Sequence, residues 1–202
     1  MNVGVLASGT GSNLQALIDA AGRGDLGAAR IVVVGVNVPD CGALARARAA
    51  GLPTFVLDHR AHFSRDAFDQ AVLVELRARQ VDLVVLAGFM RILTPAFLAA
   101  FPERVINIHP SLLPAFPGVH SQVQAFRYGV KSSGCTVHGV ATGVDSGPII
   151  AQVAVPVRDD DDEERLRLRI LAEEHKLLPI VVRAMADHRV TISDRRVLIS
   201  PV

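Results

Sequence analysis

Three short runs rich in Val, Ile, Leu and Ala constrain this chain more than any other feature. Asn2–Ala7, Ile31–Val36 and Val81–Ala87 are almost continuously apolar, the pattern of strands buried on both faces of a parallel sheet, and Arg104–His109 adds another strand. Thr54–Leu57 reads as a shorter strand. Helical spacing predicts helices over about Asn13–Ala21, Gly42–Ala50 and Arg65–Arg79. Strand and helix in alternation imply parallel strands joined by right-handed crossovers, with helices on both faces. After Pro114 the pattern changes. A helix is expected near Ser121–Tyr128, then strands over Cys135–Ala141 and Ile149–Val157 joined by the Gly-rich Thr142–Pro148 loop. A long helix over about Asp162–Met185 and a hairpin across Ser193–Arg196 complete the reading. The expected fold is therefore α/β, with a mostly parallel central sheet and antiparallel strands in its C-terminal part. No linker-like stretch intervenes, so residues 1–202 read as one domain, a βαβ half to about residue 110 and a cleft-loop, long-helix and hairpin part after it.

Composition narrows the partners. Half of the residues are hydrophobic, a fifth are charged, and the net charge is +1, which gives no electrostatic footprint for nucleic acid or anionic lipid. No apolar run is long enough to cross a bilayer, and the first residues lack the features of a secretory signal; the expected compartment is the cytoplasm. Cys41 and Cys135 stand far apart, without C-x-x-C spacing, and read as small buried residues. The acidic run Asp159–Glu164 sits where a helix begins and suits the exposed N–H groups there; it lacks the Gly-bearing loop of a hard-cation site. No metal is expected.

Three unusual segments follow strands, and in a parallel sheet ligands bind outside the carboxyl ends of the strands. Gly9-Thr-Gly11-Ser12-Asn13 is a Gly-rich turn running into a helix, with Ser12 or Asn13 as candidate caps. It lacks the third Gly of a dinucleotide fingerprint and the Gly-Lys-Ser/Thr of a P-loop. A single phosphate monoester and an ordinary tight turn both fit it. Gly88-Phe-Met-Arg-Ile-Leu93 follows another strand. In the third, Asn107 and His109 alternate with Ile106 and Ile108, so both polar groups project from one face where Pro110 stops the strand. An amide and an imidazole placed together suit either an oxyanion or the capping of a buried strand. Asp145 is the only ionisable residue of the Thr142–Pro148 loop. It is either a turn former or, if the loop covers the cleft, a partner that raises the pKa of His109. His120 and His138 fit either the cleft or local polar pairing, and His59, His62 and His188 read as surface positions.

Gly9–Leu17, Ala87–Leu93, Asn107–Pro114 and Val144–Pro148 occur in this order, and together they resemble the folate-dependent formyltransferase family. The Gly-Ser-Asn loop narrows the resemblance to its glycinamide ribonucleotide branch. The resemblance covers nearly the whole chain, to about Glu174. Asn37–Cys41 and Lys131–Ser133 depart from the family's usual forms. It implies a Rossmann-like formyltransferase fold and formyl transfer from 10-formyltetrahydrofolate, as cosubstrate, to the amine of 5-phosphoribosylglycinamide in purine synthesis. It further implies that Gly11, Ser12, Asn13 and Glu174 bind the ribonucleotide, that Arg65, Met90, Arg91, Ile92, Leu93 and Asn107 bind folate, and that Asn107, His109 and Asp145 are catalytic. Met90, Ile92 and Leu93 are expected to enclose the pterin, and protonated His109 to act as a donor. A cis bond before Pro114 is implied as well. Monomer and homodimer both remain open. The competing functions are a hydrolase that delivers the formyl group to water and a non-catalytic folate- or nucleotide-binding module; a formyltransferase acting on initiator tRNA fits less well, for want of basic charge.

Overall fold

The computed structural model describes residues 1–201. Its centre is a seven-stranded sheet in the order β3-β2-β1-β4-β5-β6-β7. The strands are β1 (Asn2–Ala7), β2 (Arg30–Val36), β3 (Thr54–Val56), β4 (Leu83–Leu86), β5 (Val105–His109), β6 (Ser132–Gly139) and β7 (Ile149–Pro156). The first five are mutually parallel, and β6 and β7 extend the sheet antiparallel. A separate hairpin, β8 (Val190–Ser193) and β9 (Arg196–Ile199), closes the described chain.

Alternation along the strands divides the core into two layers. Val3, Val5 and Ala7 of β1, with Leu83 and Val85 of β4, pack against α1 (Ser12–Arg23), α2 (Gly42–Ala49) and α6 (Glu163–Ala186). Leu6, Val84, Leu86 and Val105 face the other way, onto α3 (Arg65–Ala78) and α4 (Pro95–Ala100). The longest helix among the described residues, α6, begins where the acidic run ends: Asp162 Oδ1 accepts from the Arg165 N–H at 2.7 Å, and Asp161 pairs with Arg169. That run is helix-start chemistry.

The expected elements are present, with strand ends displaced by up to three residues, while α4 was not foreseen. Its signal was in the sequence: Thr94 caps it and Pro95 opens it. Cys135 is fully buried in the core, which pushes its thiol up to about 12; Cys41 is half-buried, and both are free. His188 is exposed, but His59 and His62 are not simple surface positions. Asp58 caps a short turn that folds them inward, His59 onto Asn37 and His62 edge-on against Phe68.

The inward stripe of α6 is the largest helical contribution to the core. Leu178→Ala removes a side chain with no solvent exposure and is expected to cost about 3 kcal/mol in urea unfolding. Ile180→Ala, on the outward face and 59% exposed, is expected to change stability by about 0.5 kcal/mol or less.

Candidate active site

Strand order reverses at β1, whose neighbours β2 and β4 leave to opposite sides, and a crevice opens there between the ends of β1 and β4. A cavity of about 270 Å³ occupies it, walled by Gly9–Asn13 on one side and by Ala87, Gly88 and Met90 on the other. Gly11 lies at φ 75°, and a Cβ there would stand 2.5 Å from the Ala43 Cα; only glycine allows α1 to begin this close to α2. Neither Ser12 nor Asn13 caps α1, contrary to expectation. The cap position is Gly11, with no side-chain hydrogen bond, and no acidic residue occupies the first turn. The leading N–H groups of α1 thus have no side-chain cap, the arrangement in which a helix start can receive an anion. Asn13 instead reaches across to α6, donating from Nδ2 to Glu174 Oε2 at 2.7 Å. Glu174 is buried, and burial pushes its carboxyl pKa up against the opposing Asn13 hydrogen bond and Arg167 charge.

A second cavity, of about 300 Å³, lies on the far side of Ser12, between Gln15, Arg46 and His175. Sequence reasoning passed over His175, a single histidine inside a long amphipathic helix.

The Gly88–Leu93 segment leaves β4 through Gly88 at φ 74°. Met90 and Ile92 are 65% and 51% exposed. Leu93 is different. Its side chain lies in the core with Phe68 and Phe97, so it offers a ligand only its backbone. The Met90 N–H is also committed, donating to Ser8 Oγ at 2.8 Å. Arg65 is the first residue of α3 and is exposed, while further along that helix Phe68 stacks on Phe89 of this segment.

Ile106 and Ile108 enter one core layer, so Asn107 and His109 face the other. The antiparallel register sets His138 opposite Asn107 and Thr136 opposite His109. Asn107 Nδ2 donates to His138 Nε2 at 3.2 Å, while His138 Nδ1 donates to the Gly139 carbonyl at 2.8 Å; these partners assign the tautomer. Sequence reasoning left His138 ambiguous because its role depends on a pairing register that residue spacing does not reveal. His120 is exposed at the start of α5 (Ser121–Tyr128).

Asp145 completes the group, by a route the chain pattern did not suggest. β6 ends beside the start of β5, with the Val140 N–H on the Val105 carbonyl. The loop therefore folds back along the sheet, pinched where the Gly139 N–H meets the Pro148 carbonyl. Asp145 Oδ2 accepts from the Gly118 N–H at 2.7 Å and lies 3.3 Å from His109 Nδ1; Oδ1 lies 3.6 Å from His138 Nε2. His109 Nε2 donates to the Phe116 carbonyl at 3.0 Å. The Leu113–Pro114 bond in this same loop is cis.

The expected elevation of the His109 pKa is not found. Burial is the largest influence and lowers it below the ordinary value; the Phe116 carbonyl and the Asp145 charge push upward without overtaking it, and His138 adds to the fall. Burial alone would raise Asp145, but His138, the Gly118 N–H and His109 together hold its carboxyl below the ordinary range. The resting pair is an ionised aspartate beside a neutral imidazole whose proton is on Nε2, so Nδ1 becomes a donor to Asp145 only when the ring is protonated.

Residues 1–182 match the family model described as formyl transferase. The chain belongs to the formyltransferase family. It is 52% identical over 191 residues to the phosphoribosylglycinamide formyltransferase of Mycobacterium tuberculosis, covering 95% of this chain and 87% of that one. Against the Escherichia coli phosphoribosylglycinamide formyltransferase the identity is 44% over 195 residues, 96% of this chain and 91% of the relative. The crystal structure of glycinamide ribonucleotide transformylase 1 from Symbiobacterium toebii superimposes with a TM-score of 0.96 at 51% identity, over 98% of this chain and 93% of that one.

In the free protein, His109 is expected to titrate below 6.5 by NMR. Asp145→Asn removes the one nearby negative charge and is expected to lower that pKa further. An imidazole titrating above 6.5 would show that the Asp145 charge and the Phe116 carbonyl outweigh burial.

Proposed function

We infer that the chain is an enzyme transferring a formyl group from 10-formyltetrahydrofolate to the amine of 5-phosphoribosylglycinamide, giving formylglycinamide ribonucleotide and tetrahydrofolate in de novo purine synthesis. What supports the reading is that Asn107 and His109, with Asp145 against His109, lie on the strand next to β4, whose end walls a cavity that begins at an uncapped helix N-terminus. The register pairs Leu86 with Asn107, so the cavity wall at Ala87 and Gly88 adjoins the polar group. An anion-binding end and an oxyanion-stabilising end within one crevice match a phosphorylated amine as acceptor.

In this reading the first-turn amides of Gly11, Ser12 and Asn13 bind the ribonucleotide phosphate, and Glu174 also contacts the ribonucleotide. Met90 and Ile92 cover the pterin, the backbone of Arg91–Leu93 meets its polar edge, and Arg65 binds the acidic tail. Residues 1–110 form the phosphate-binding half, and the remainder supplies the loops that close on the donor. No metal takes part. The compartment is the cytoplasm.

The amine attacks the formyl carbon directly, a C–N bond forms, and the formyl oxygen becomes an oxyanion. Asn107 donates to that oxygen from Nδ2. His109 donates from Nε2 once the substrate oxygen displaces the Phe116 carbonyl. As negative charge develops there, the imidazolium becomes less costly, and ionised Asp145 adds to that stabilisation. A proton then passes from the attacking nitrogen to the folate nitrogen as the old C–N bond breaks. Alignment of the two substrates from opposite ends of the crevice lowers the entropic part of the barrier.

The spectral change of 10-formyltetrahydrofolate, followed with and without the acceptor, tests this. Turnover is expected only with 5-phosphoribosylglycinamide, and His109→Ala or Asn107→Ala is expected to lower kcat by roughly 10²–10³. Equal turnover without acceptor would show a hydrolase, and binding without turnover a non-catalytic module. Near-normal kcat in His109→Ala would remove the proposed role of that residue.

A further inference from the structure

Asp69 is a carboxylate with no solvent exposure, inside α3 and next to the apolar cluster of Phe68, Leu73 and Phe97. Its Oδ2 accepts from the Thr94 N–H at 2.7 Å. Its Oδ1 is buried and has no hydrogen-bond partner among the described residues. Burying a carboxylate with half of its hydrogen-bonding capacity unmet is unfavourable, and an apolar residue of similar size would suit these neighbours better. Stability therefore does not account for Asp69; what it touches does.

Thr94 directly follows the Met90–Leu93 segment and caps α4. The opposite end of that segment is secured by a second buried polar group. Ser8 donates its N–H to the Gly88 carbonyl at 3.0 Å, and its Oγ accepts from the Met90 N–H while donating to Asn37 Oδ1 at 2.5 Å. Asn37 Nδ2 in turn lies 3.1 Å from His59 Nδ1. Between the two anchors, Ile92 stays exposed, as does the Met90 side chain.

We propose that Asp69 is a positioning residue for the formyl-donor site, acting with Ser8 to fix both ends of the Met90–Thr94 backbone so that Arg91–Leu93 present a preformed edge to the pterin. This rests on the reading that the segment binds the donor. Burial pushes the Asp69 carboxyl pKa up, against the Thr94 hydrogen bonds, so a neutral acceptor should serve in its place. Fixing a recognition segment in advance removes an ordering cost from binding, and its loss should appear in donor affinity.

The experiment measures KM for donor and acceptor separately, with kcat, in Asp69→Ala, Asp69→Asn, Ser8→Ala and Ile92→Ala. Asp69→Ala is expected to raise the donor KM about tenfold, with kcat and the acceptor KM within about twofold. Asp69→Asn, which keeps an acceptor oxygen, is expected to recover most of that loss. An unchanged donor KM in folded Asp69→Ala overturns the proposal, and so does an equal loss in both KM values and kcat, the mark of a merely structural role. If Asp69→Ala does not fold, Ser8→Ala decides: a raised donor KM with an unmoved acceptor KM supports the proposal, and an unmoved donor KM overturns it. Ile92→Ala separates the two levels. An unchanged donor KM there means that the segment does not bind the donor, whereas a raised one alongside a normal Asp69→Ala rejects the positioning role alone.

Discussion

The two-sided pairing of β5 is the constraint from which the site follows. On one edge it runs parallel to β4, which brings its carboxyl end level with the loops leaving β1 and β4. On the other edge it runs antiparallel to β6, which sets His138 and Thr136 on the same face as Asn107 and His109. A sheet that stayed parallel would place another βα loop at this edge. The change of direction instead supplies two side chains and a returning loop. Because side chains alternate with period two, a one-residue slip of β6 would turn His138 into the core and bring Val137 to face Asn107. Cys135 and Val137 packed in the opposite layer make such a slip costly.

That arrangement also explains how several polar groups can sit together under little water. His138 Nε2 is satisfied by the Asn107 amide, His109 Nε2 by the Phe116 carbonyl, and Asp145 by the Gly118 N–H. Each group in this set therefore has a partner drawn from another segment, which limits the penalty of burying them. Asp145 is held by the Gly118 N–H and borders both imidazoles, and its carboxyl stays below the ordinary range despite burial. His109 cannot have the same balance. With the carboxylate as its only nearby formal charge, and with His138 opposing, desolvation prevails.

Much of this was legible in the residues. The apolar runs foretold the parallel sheet, and the alternation of Ile106, Asn107, Ile108 and His109 foretold which pair would share a face. Those are period-two arguments, local by nature. The failures share a different character. His138 depends on strand register, Asp69 on the packing of α3 against the turn before α4, and the path of the Asp145 loop on which end of β5 lies beside the end of β6. None of these is a property of neighbouring residues. Asp69 illustrates the difficulty best: in sequence it is one charged residue among several in an amphipathic helix, and only the fold shows that it points inward. The capping expectation at Ser12 and Asn13 failed for the opposite reason. A local rule applied, but Ala43 approaches so closely that glycine takes the cap position, and Asn13 is recruited by Glu174, 161 residues away.

On the proposed function, the three recognition elements differ in what keeps them rigid, and the difference fits what each would present. The phosphate end offers backbone N–H groups, whose direction is set by the helix axis and by glycine at its start. The donor end offers backbone from an irregular segment, which has no hydrogen-bonded ladder of its own and so depends on side chains anchored elsewhere in the core. The reacting end offers side chains on a strand bordered on both edges, where rotation is restricted by neighbours. A neutral resting His109 suits this design. An imidazolium buried beside a single carboxylate would be costly before substrate arrives, whereas the developing oxyanion supplies a further negative charge at the moment when a cation is useful. On that reading the fold leaves the site short of one negative charge, and the reaction itself provides it.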